Sequence, residues 1–171
     1  MMRPMAAVAV LLLALVGCAS DPTQGYSTAT TFPAGYRTVA VPIFENDTFD
    51  RDIEFELADA LVKEIEQRTP YKVTASSRAD TVLRGRIVEV KRDQISKSRR
   101  TGLGEEVILS VTVDFEWVDA RSGQVIESRR GFTANSLFVP SQPHSEPQDY
   151  AVFAAAQRLA KDIVAEMRAD W

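Results

Sequence analysis

Hydrophobic residues recur along the chain with two spacings, one typical of helices and one typical of strands. Between residues 50 and 68 they return every three or four positions, with charged residues between them, which predicts an amphipathic helix. A second helix is predicted to run almost to Trp171, and Ser145 and Gln148 match a capping box at its start. The predicted buried faces comprise Ile53, Phe55, Leu57, Ala58, Leu61, Val62 and Ile65, and Val152, Phe153, Ala156, Leu159, Ala160, Ile163 and Met167.

The segments outside the helices predict strands. From Val107 to Trp117 every second residue is apolar, so one face of this strand should pack in a core and the other should be hydrated. The alternation changes parity between Ile87 and Val88, which predicts a β-bulge. Further strands are predicted at residues 37–44, 71–74, 81–92 and 124–138. Pro42 places the first of them near a sheet edge or at a strand end.

This order of elements predicts an α+β fold. We expect a two-layer sandwich in which both helices pack on one face of a mainly antiparallel or mixed sheet of four to five strands. The length fits one domain, assigned to residues 37–171. Residues 18–36 are rich in Ser, Thr, Gly and Pro and predict a flexible tether.

The first residues predict export and lipidation. About eleven apolar residues follow Arg3, too few to span a bilayer but typical of a signal peptide. They end in Leu15-Val16-Gly17-Cys18, which resembles the bacterial lipobox. Residues 1–17 would then be removed and Cys18 would carry the acyl chains. The alternative is an ordinary secretory signal that leaves a free thiol. Because Ala19, and not Asp, follows the cysteine, bacterial sorting patterns favour the outer membrane.

Overall charge and composition argue against several classes of function. The net charge of −4 argues against a nucleic-acid binder that relies on bulk positive charge. With one Cys and one His, the sequence contains no metal-site signature, and it predicts no cofactor. His144 lies in a predicted loop without a nucleophile-elbow motif, so we expect a solvated residue and a protein that is not an enzyme.

One segment departs from the acidic average. Residues 91–100 contain five cations and one anion at a predicted hairpin tip. Such a basic tip suits phosphate or carboxylate groups. The alternative is a solvated loop whose charges only prevent edge pairing. The five cations are Lys91, Arg92, Lys97, Arg99 and Arg100.

The chain resembles the lipopolysaccharide-assembly lipoprotein LptE family. The resemblance rests on the lipobox at Cys18, the segment Thr38 to Phe44 followed by Glu45-Asn46, the segment 54–61, and Ala79 to Gly85. It implies two helices on a four-stranded sheet. It also implies a periplasm-facing lipoprotein, held in the outer membrane by its lipid and seated within the β-barrel partner LptD. There it would assist barrel assembly and lipopolysaccharide transport, with Lys91, Arg92, Lys97, Arg99 and Arg100 in contact with lipopolysaccharide.

Two other lipoprotein groups begin with a similar strand and helix. The segment Val39 to Leu61 is also similar to lipoproteins that activate peptidoglycan synthases and to curli-secretion lipoproteins. Either likeness would make the chain a binding module with a different partner, a synthase or a ring of identical subunits. The partner that purifies with the protein discriminates between these functions.

Overall fold

The computed structural model describes residues 30–97, 104–140 and 147–168. Contacts divide the chain into residues 1–30 and 31–171, and the helices and strands of the described residues all belong to the second unit. In chain order they are β1 (Thr38–Ala40), β2 (Glu45–Asn46), α1 (Ile53–Arg68), β3 (Lys72–Val73), a short 3-10 helix (Ser76–Arg78), β4 (Thr81–Lys97), β5 (Gly104–Asp119), β6 (Val125–Phe138) and α2 (Gln148–Glu166).

The strands form one mixed sheet. Its order is β3-β1-β4-β5-β6, and β2 pairs with β4 beside β1. β4, β5 and β6 form an antiparallel meander, while β1, β2 and β3 pair in parallel. The two helices pack on one face over a single core. The predicted α+β two-layer sandwich is therefore confirmed, with a sixth short strand added to the predicted sheet.

Local sequence signals explain the shapes of the strands. β1 ends at Ala40, before Pro42, because proline cannot donate to the ladder. The predicted first strand is therefore shorter than expected, and pairing resumes only at β2, just beyond its predicted end at Phe44. The predicted bulge is confirmed, since the β4–β5 register shifts between Ile87 and Glu89. The alternation in β5 is confirmed too, with Leu109, Val111, Val113, Phe115 and Trp117 all buried.

The helices bury most of the predicted stripes, although Ala58, Val62 and Val152 are only half-buried and two phenylalanines are exposed. Phe55 and Phe153 were expected in the core but are 52% and 46% exposed. Phe55 lies two residues from both Ile53 and Leu57, about 200° around the helix from each, and therefore points away from the sheet. Phe153 lies at the margin of the buried face of α2. Ala151, Ala155 and Val164, which were not predicted, complete that face.

The predicted start of α2 is also wrong. The N-cap position is occupied by Pro147, in an extended conformation, and the helix begins at Gln148. Because the residue before a proline disfavours helical dihedral angles, Glu146 is a poor first residue of a helix. The capping-box pattern therefore placed the start too early.

An aromatic cluster closes one end of the core. Tyr71 packs against Phe32 and Trp117, with ring centroids 5.9 and 5.8 Å apart, and its hydroxyl donates to the Pro33 carbonyl at 2.9 Å. Burial raises the pKa of Tyr71 to about 12, so the hydroxyl stays protonated and remains a donor. Packed structure therefore begins by Phe32, five residues before the predicted domain start at Arg37.

Asp80 joins the start of β1 to the segment before β4. Its Oδ2 accepts hydrogen bonds from the Arg37 and Thr38 backbone amides, at 3.0 and 3.1 Å, and from the Thr38 hydroxyl. Its Oδ1 lies 3.2 Å from Arg121 Nη2. The hydrogen bond from Arg37 and those from Thr38, followed by the charge of Arg121, lower the pKa of Asp80 below its ordinary value.

We expect Asp80 to contribute to the pH dependence of stability. Because its pKa is lower in the folded state than the unfolded value of about 3.9, its contribution is present above that value and is lost as the pH falls through the folded pKa. Asp80→Asn should lower the melting temperature at pH 7 and flatten its fall below about pH 5. Thermal unfolding at pH 7, 5, 4 and 3 measures this. Asp59→Asn, on the exposed side of α1, is the control and should follow the unsubstituted protein.

Candidate functional site

The predicted basic tip is in large part an extension of the sheet. β4 continues to Lys97, which pairs with Gly104 of β5, so the strand includes Lys91 and Arg92 and runs five residues beyond its predicted end at Arg92. As neighbours in a strand, these two cations lie on opposite faces of the sheet. Arg99 and Arg100 lie outside the described residues, as do Cys18 and His144.

Arg92 lies on the helix-covered face, opposite Leu109. Its guanidinium forms an ion pair with Asp50, in the loop before α1, and Nη1 lies 3.3 Å from Asp50 Oδ2. Both side chains are partly shielded from solvent. Arg92 therefore holds the start of α1 against the sheet, a structural role that the sequence did not predict.

Lys91 lies on the opposite, open face of the sheet, which also carries Ser110, Thr112, Asp114 and Glu116. Its Nζ lies 2.9 Å from the Asp93 carboxylate. The hydrogen bond to Asp93, and then its charge, raise the pKa of Lys91, so the amine stays charged. Because the pair is exposed to water, it contributes little stability, and an external anion can compete with Asp93 for the amine.

A second charged region, which the sequence did not predict, is a cleft of about 680 Å³ on the open face. Arg84 Nε lies 2.8 Å from Glu116, and Arg86 Nη1 lies 3.5 Å from Asp47. The available signal was the spacing of Arg84 and Arg86, since residues two apart in a strand share a face. The charged residues that line the cleft are Glu45, Arg84, Arg86, Asp114, Glu116, Arg129 and Arg130. Because the Arg129 side chain turns to Glu166, three guanidiniums and three carboxylates remain on this face, which makes it a hydrated, charge-balanced surface.

A bulge in β6 shapes that cleft. Gly131 has a φ of 63°, a conformation that favours glycine, and its amide donates to Asp114 Oδ1 at 2.8 Å. The β5–β6 register shifts at this point, between Val113 and Phe115. Arg129 consequently lies on the helix side, where its Nη2 is 2.7 Å from Glu166.

Exposed apolar side chains concentrate at the distal end, which we define as the end where β4 and β6 finish and both helices begin. Arg92 meets Asp50 there, and the Ser136 hydroxyl donates to the Ala151 carbonyl at 2.7 Å. Of the eight large apolar side chains exposed in the described residues, six lie at this end: Phe49, Phe55, Ile95, Leu137, Tyr150 and Phe153. An apolar surface next to cations matches the chemistry of an amphipathic anion.

A metal site and a membrane-spanning helix would each have a recognisable geometry. The described residues contain no group of three or more His, Cys, Asp or Glu side chains placed to hold a metal ion. None of the helices in the same ranges has the length and apolar character needed to cross a membrane.

Comparison with known protein families identifies the family of this chain. The model of the lipopolysaccharide-assembly family LptE matches residues 36–169. The chain belongs to the LptE family. The match extends from just before β1 to beyond α2, so it includes both helices and the whole sheet of this LptE-family protein. The resemblance inferred from the sequence is thereby confirmed.

Solved structures with a similar fold are distant in sequence. PelC from Paraburkholderia phytofirmans, a dodecamer, has a TM-score of 0.51 at 18% identity, over 84% of this chain and 96% of its own. A protein from Xanthomonas campestris has a TM-score of 0.53 at 14% identity, over 81% and 85% of the two chains. Such identities show a shared fold and nothing more. The comparison with curated proteins found no match.

Proposed function

We propose that this LptE-family protein is an outer-membrane lipoprotein that assists assembly of an LptD-like β-barrel and the transport of lipopolysaccharide to the cell surface. The observation that carries this proposal is the family match over nearly the whole folded domain. Cys18 is the proposed lipid attachment site, and the domain faces the periplasm. The protein acts by shape and charge and catalyses no reaction.

Lipopolysaccharide combines phosphate groups with acyl chains, and the distal end offers a counterpart to each. Lys91 and Arg92 lie in the strand that leads to the tip, and Lys97, Arg99 and Arg100 extend the run of cations. Arginine binds phosphate through two parallel hydrogen bonds and lysine as a point charge. The exposed apolar side chains at the same end supply contacts for acyl chains.

Among the tip cations, Lys91 and Arg92 should contribute unequally to this binding. Arg92 is already paired with Asp50 and partly shielded, so recruiting it would loosen the start of α1. Lys91 is more exposed, and its pairing with Asp93 is easily exchanged in water. We therefore assign the larger share of lipopolysaccharide contact to Lys91, Lys97, Arg99 and Arg100.

The open face suits a barrel partner. A barrel that encloses this domain presents a hydrated inner wall, and the ion pairs Arg84–Glu116 and Arg86–Asp47 lie on the open face where they can meet it. More than half of each arginine side chain is exposed. Charge-balanced surfaces of this kind favour specific docking through complementary charges over non-specific apolar adhesion.

Replacement of the five tip cations by serine tests the lipopolysaccharide contact. We expect lipopolysaccharide binding at low salt to weaken by roughly tenfold or more, because charge-assisted hydrogen bonds contribute about 1.5–3 kcal/mol each. The melting temperature should fall only slightly, through loss of the Arg92–Asp50 pair. Binding is measured with purified detergent-solubilised protein, and unchanged binding would contradict the assignment.

A control variant separates the basic tip from net charge. Five exposed cations outside the tip are replaced by serine, which changes the net charge by the same amount: Lys63, Arg68, Lys72, Arg78 and Lys161. This variant should keep its affinity. Equal loss in the two variants would mean that overall charge, and not the tip, determines binding.

The partner is tested by purification of the protein from solubilised membranes. A barrel-sized outer-membrane protein that purifies with the chain supports the proposed function. A peptidoglycan synthase, or a ring of identical subunits, supports the alternative binding-module functions and contradicts the proposal.

A further inference from the structure

Among the residues that the structure describes, β6 is the outermost strand on its side of the sheet, so half of its backbone donors and acceptors face no other described strand. Exposed edges of this kind invite pairing with another chain, and proteins usually protect them with charges, bulges or proline. The first half of β6 is protected in this way. It contains Arg129, Arg130 and the Gly131 bulge, and its register with β5 shifts twice.

The second half of β6, Phe132–Phe138, carries none of these protections in its own sequence. We call it the edge segment. It pairs with β5 without a shift, from Val113↔Phe132 to Val107↔Phe138. Its sequence, Phe-Thr-Ala-Asn-Ser-Leu-Phe, contains no charged residue, glycine or proline. A regular, uncharged edge is the form that most readily accepts another strand.

One hydrogen bond shows which backbone groups face outward. The Asn135 carbonyl accepts from Arg158 Nη1, of α2, at 3.3 Å. In an antiparallel strand the amide and carbonyl of one residue point to the same side, and the pattern repeats every second residue. Thr133, Asn135 and Leu137 therefore present their backbone groups to the free edge. Arg158 is an exposed side chain that can yield this carbonyl to a backbone donor.

We infer that the edge segment pairs in antiparallel fashion with the edge segment of a second copy of this chain, about a two-fold axis at Asn135. This register sets Thr133 opposite Leu137 and Asn135 opposite its own copy. The Gly131 bulge of one copy then lies opposite Val139 of the other, and Arg130 opposite Pro140. The regular stretch thus ends at the same level in both copies.

Neighbouring registers are less favourable. An axis at Thr133 sets Arg129 opposite Leu137 and brings the Gly131 bulge into the ladder. An axis at Leu137 sets Thr133 opposite residue 141, beyond the end of β6 at Phe138, so fewer strand residues pair. Since an isologous interface must be complementary to itself, the uncharged and symmetric register about Asn135 favours a second copy as the occupant.

The contact area between the two edge segments determines how tightly the two copies can bind. Seven residues extend for about 24 Å. A strand pair of that length falls at the low end of specific interfaces, below about 1,200 Å² in total. The dimer should therefore be weak and reversible. The inference does not depend on the proposed transport role, and a chain enclosed by a barrel is not available to form this dimer.

Cysteine cross-linking in isolated membranes tests both the contact and its register, with the full chain. Across the proposed axis the two Asn135 Cα atoms would lie about 5.5 Å apart, within disulfide range. Asn135→Cys should therefore give a covalent dimer with a mild oxidant. Thr133→Cys or Leu137→Cys alone should give almost none, because each residue lies roughly 13 Å from its own copy. The two variants produced together should cross-link to each other.

Ser110→Cys is the matched control. Ser110 lies opposite Asn135 on β5, one strand in from the edge and on the same face. The unsubstituted chain, with Cys18 as its one cysteine, gives the background. We expect several-fold more covalent dimer from Asn135→Cys than from Ser110→Cys or from the unsubstituted chain. Equal cross-linking at Ser110, no dimer from the mixed Thr133 and Leu137 variants, or a disulfide from Asn135→Cys to a different protein would overturn the proposal.

Discussion

Gly85→Ala is expected to lower the free energy of unfolding by about 3 kcal/mol, the upper part of the range for overpacked cores. A Cβ atom at this position would lie 2.4 Å from the Asp114 carbonyl oxygen and 2.6 Å from Phe44 Cε2. The first contact is with backbone of the neighbouring strand β5, which cannot move without disturbing the ladder. The second is with the Phe44 ring, which is buried in the core.

The reason for this tight fit lies in the path of the chain. After β1 ends before Pro42, the chain continues alongside β4. It pairs with β4 again in β2, where Glu45 lies opposite Arg86, one residue beyond Gly85. Phe44 must therefore cross directly above residue 85. Glycine is required there because of close packing, and Gly85 does not have a positive φ.

Urea unfolding of the two proteins measures the effect, and the transition midpoint should fall with the slope unchanged. Gly35→Ala is the control, because a Cβ at Gly35 meets nothing within 4 Å. Its stability should change little. If the two alanine variants unfold at the same midpoint, the contacts at Gly85 do not determine stability.

Cys18→Ala is expected to abolish lipid attachment. Since Cys18 is the one cysteine of the chain, no other thiol can accept the acyl group. Labelled palmitate should enter the unsubstituted protein and be absent from the variant. Processing should fail as well, because residues 1–17 are expected to be removed only before a lipidated cysteine. Mass spectrometry would then find the variant longer by those residues.

Ser20→Ala, two residues farther along, is the matched control and should be labelled and processed normally. A mature chain with an unmodified Cys18 thiol, free in the periplasm, would contradict the lipoprotein assignment. The ordinary secretory signal would then be the better interpretation of residues 1–18.

Several parts of the fold followed from local pattern alone. Strict alternation in β5 identified its buried face because a strand exposes opposite sides at successive residues. The parity change after Ile87 located the β4 bulge for the same reason. The four-residue spacing of Ile53, Leu57, Leu61 and Ile65 identified the buried face of α1, and all four are buried.

The candidate site was less accessible to prediction. The number of cations in the run can be read from the sequence, but it gave no indication that β4 would continue to Lys97 instead of ending at Arg92. The partner of Arg92 is Asp50, 42 residues earlier, and no local rule selects it among 24 acidic residues. The cleft around Arg84 was missed because its members come from β2, β4, β5 and β6.

The sequence by itself determined the element types, the two-layer arrangement and the predicted signal for lipidation, because each depends on the spacing or composition of a short segment. Tertiary structure decided which cations are paired, which apolar residues remain exposed at the distal end, and which half of β6 is an unprotected edge. These features arise where segments far apart in the chain meet, and their energies depend on distances that periodicity does not encode.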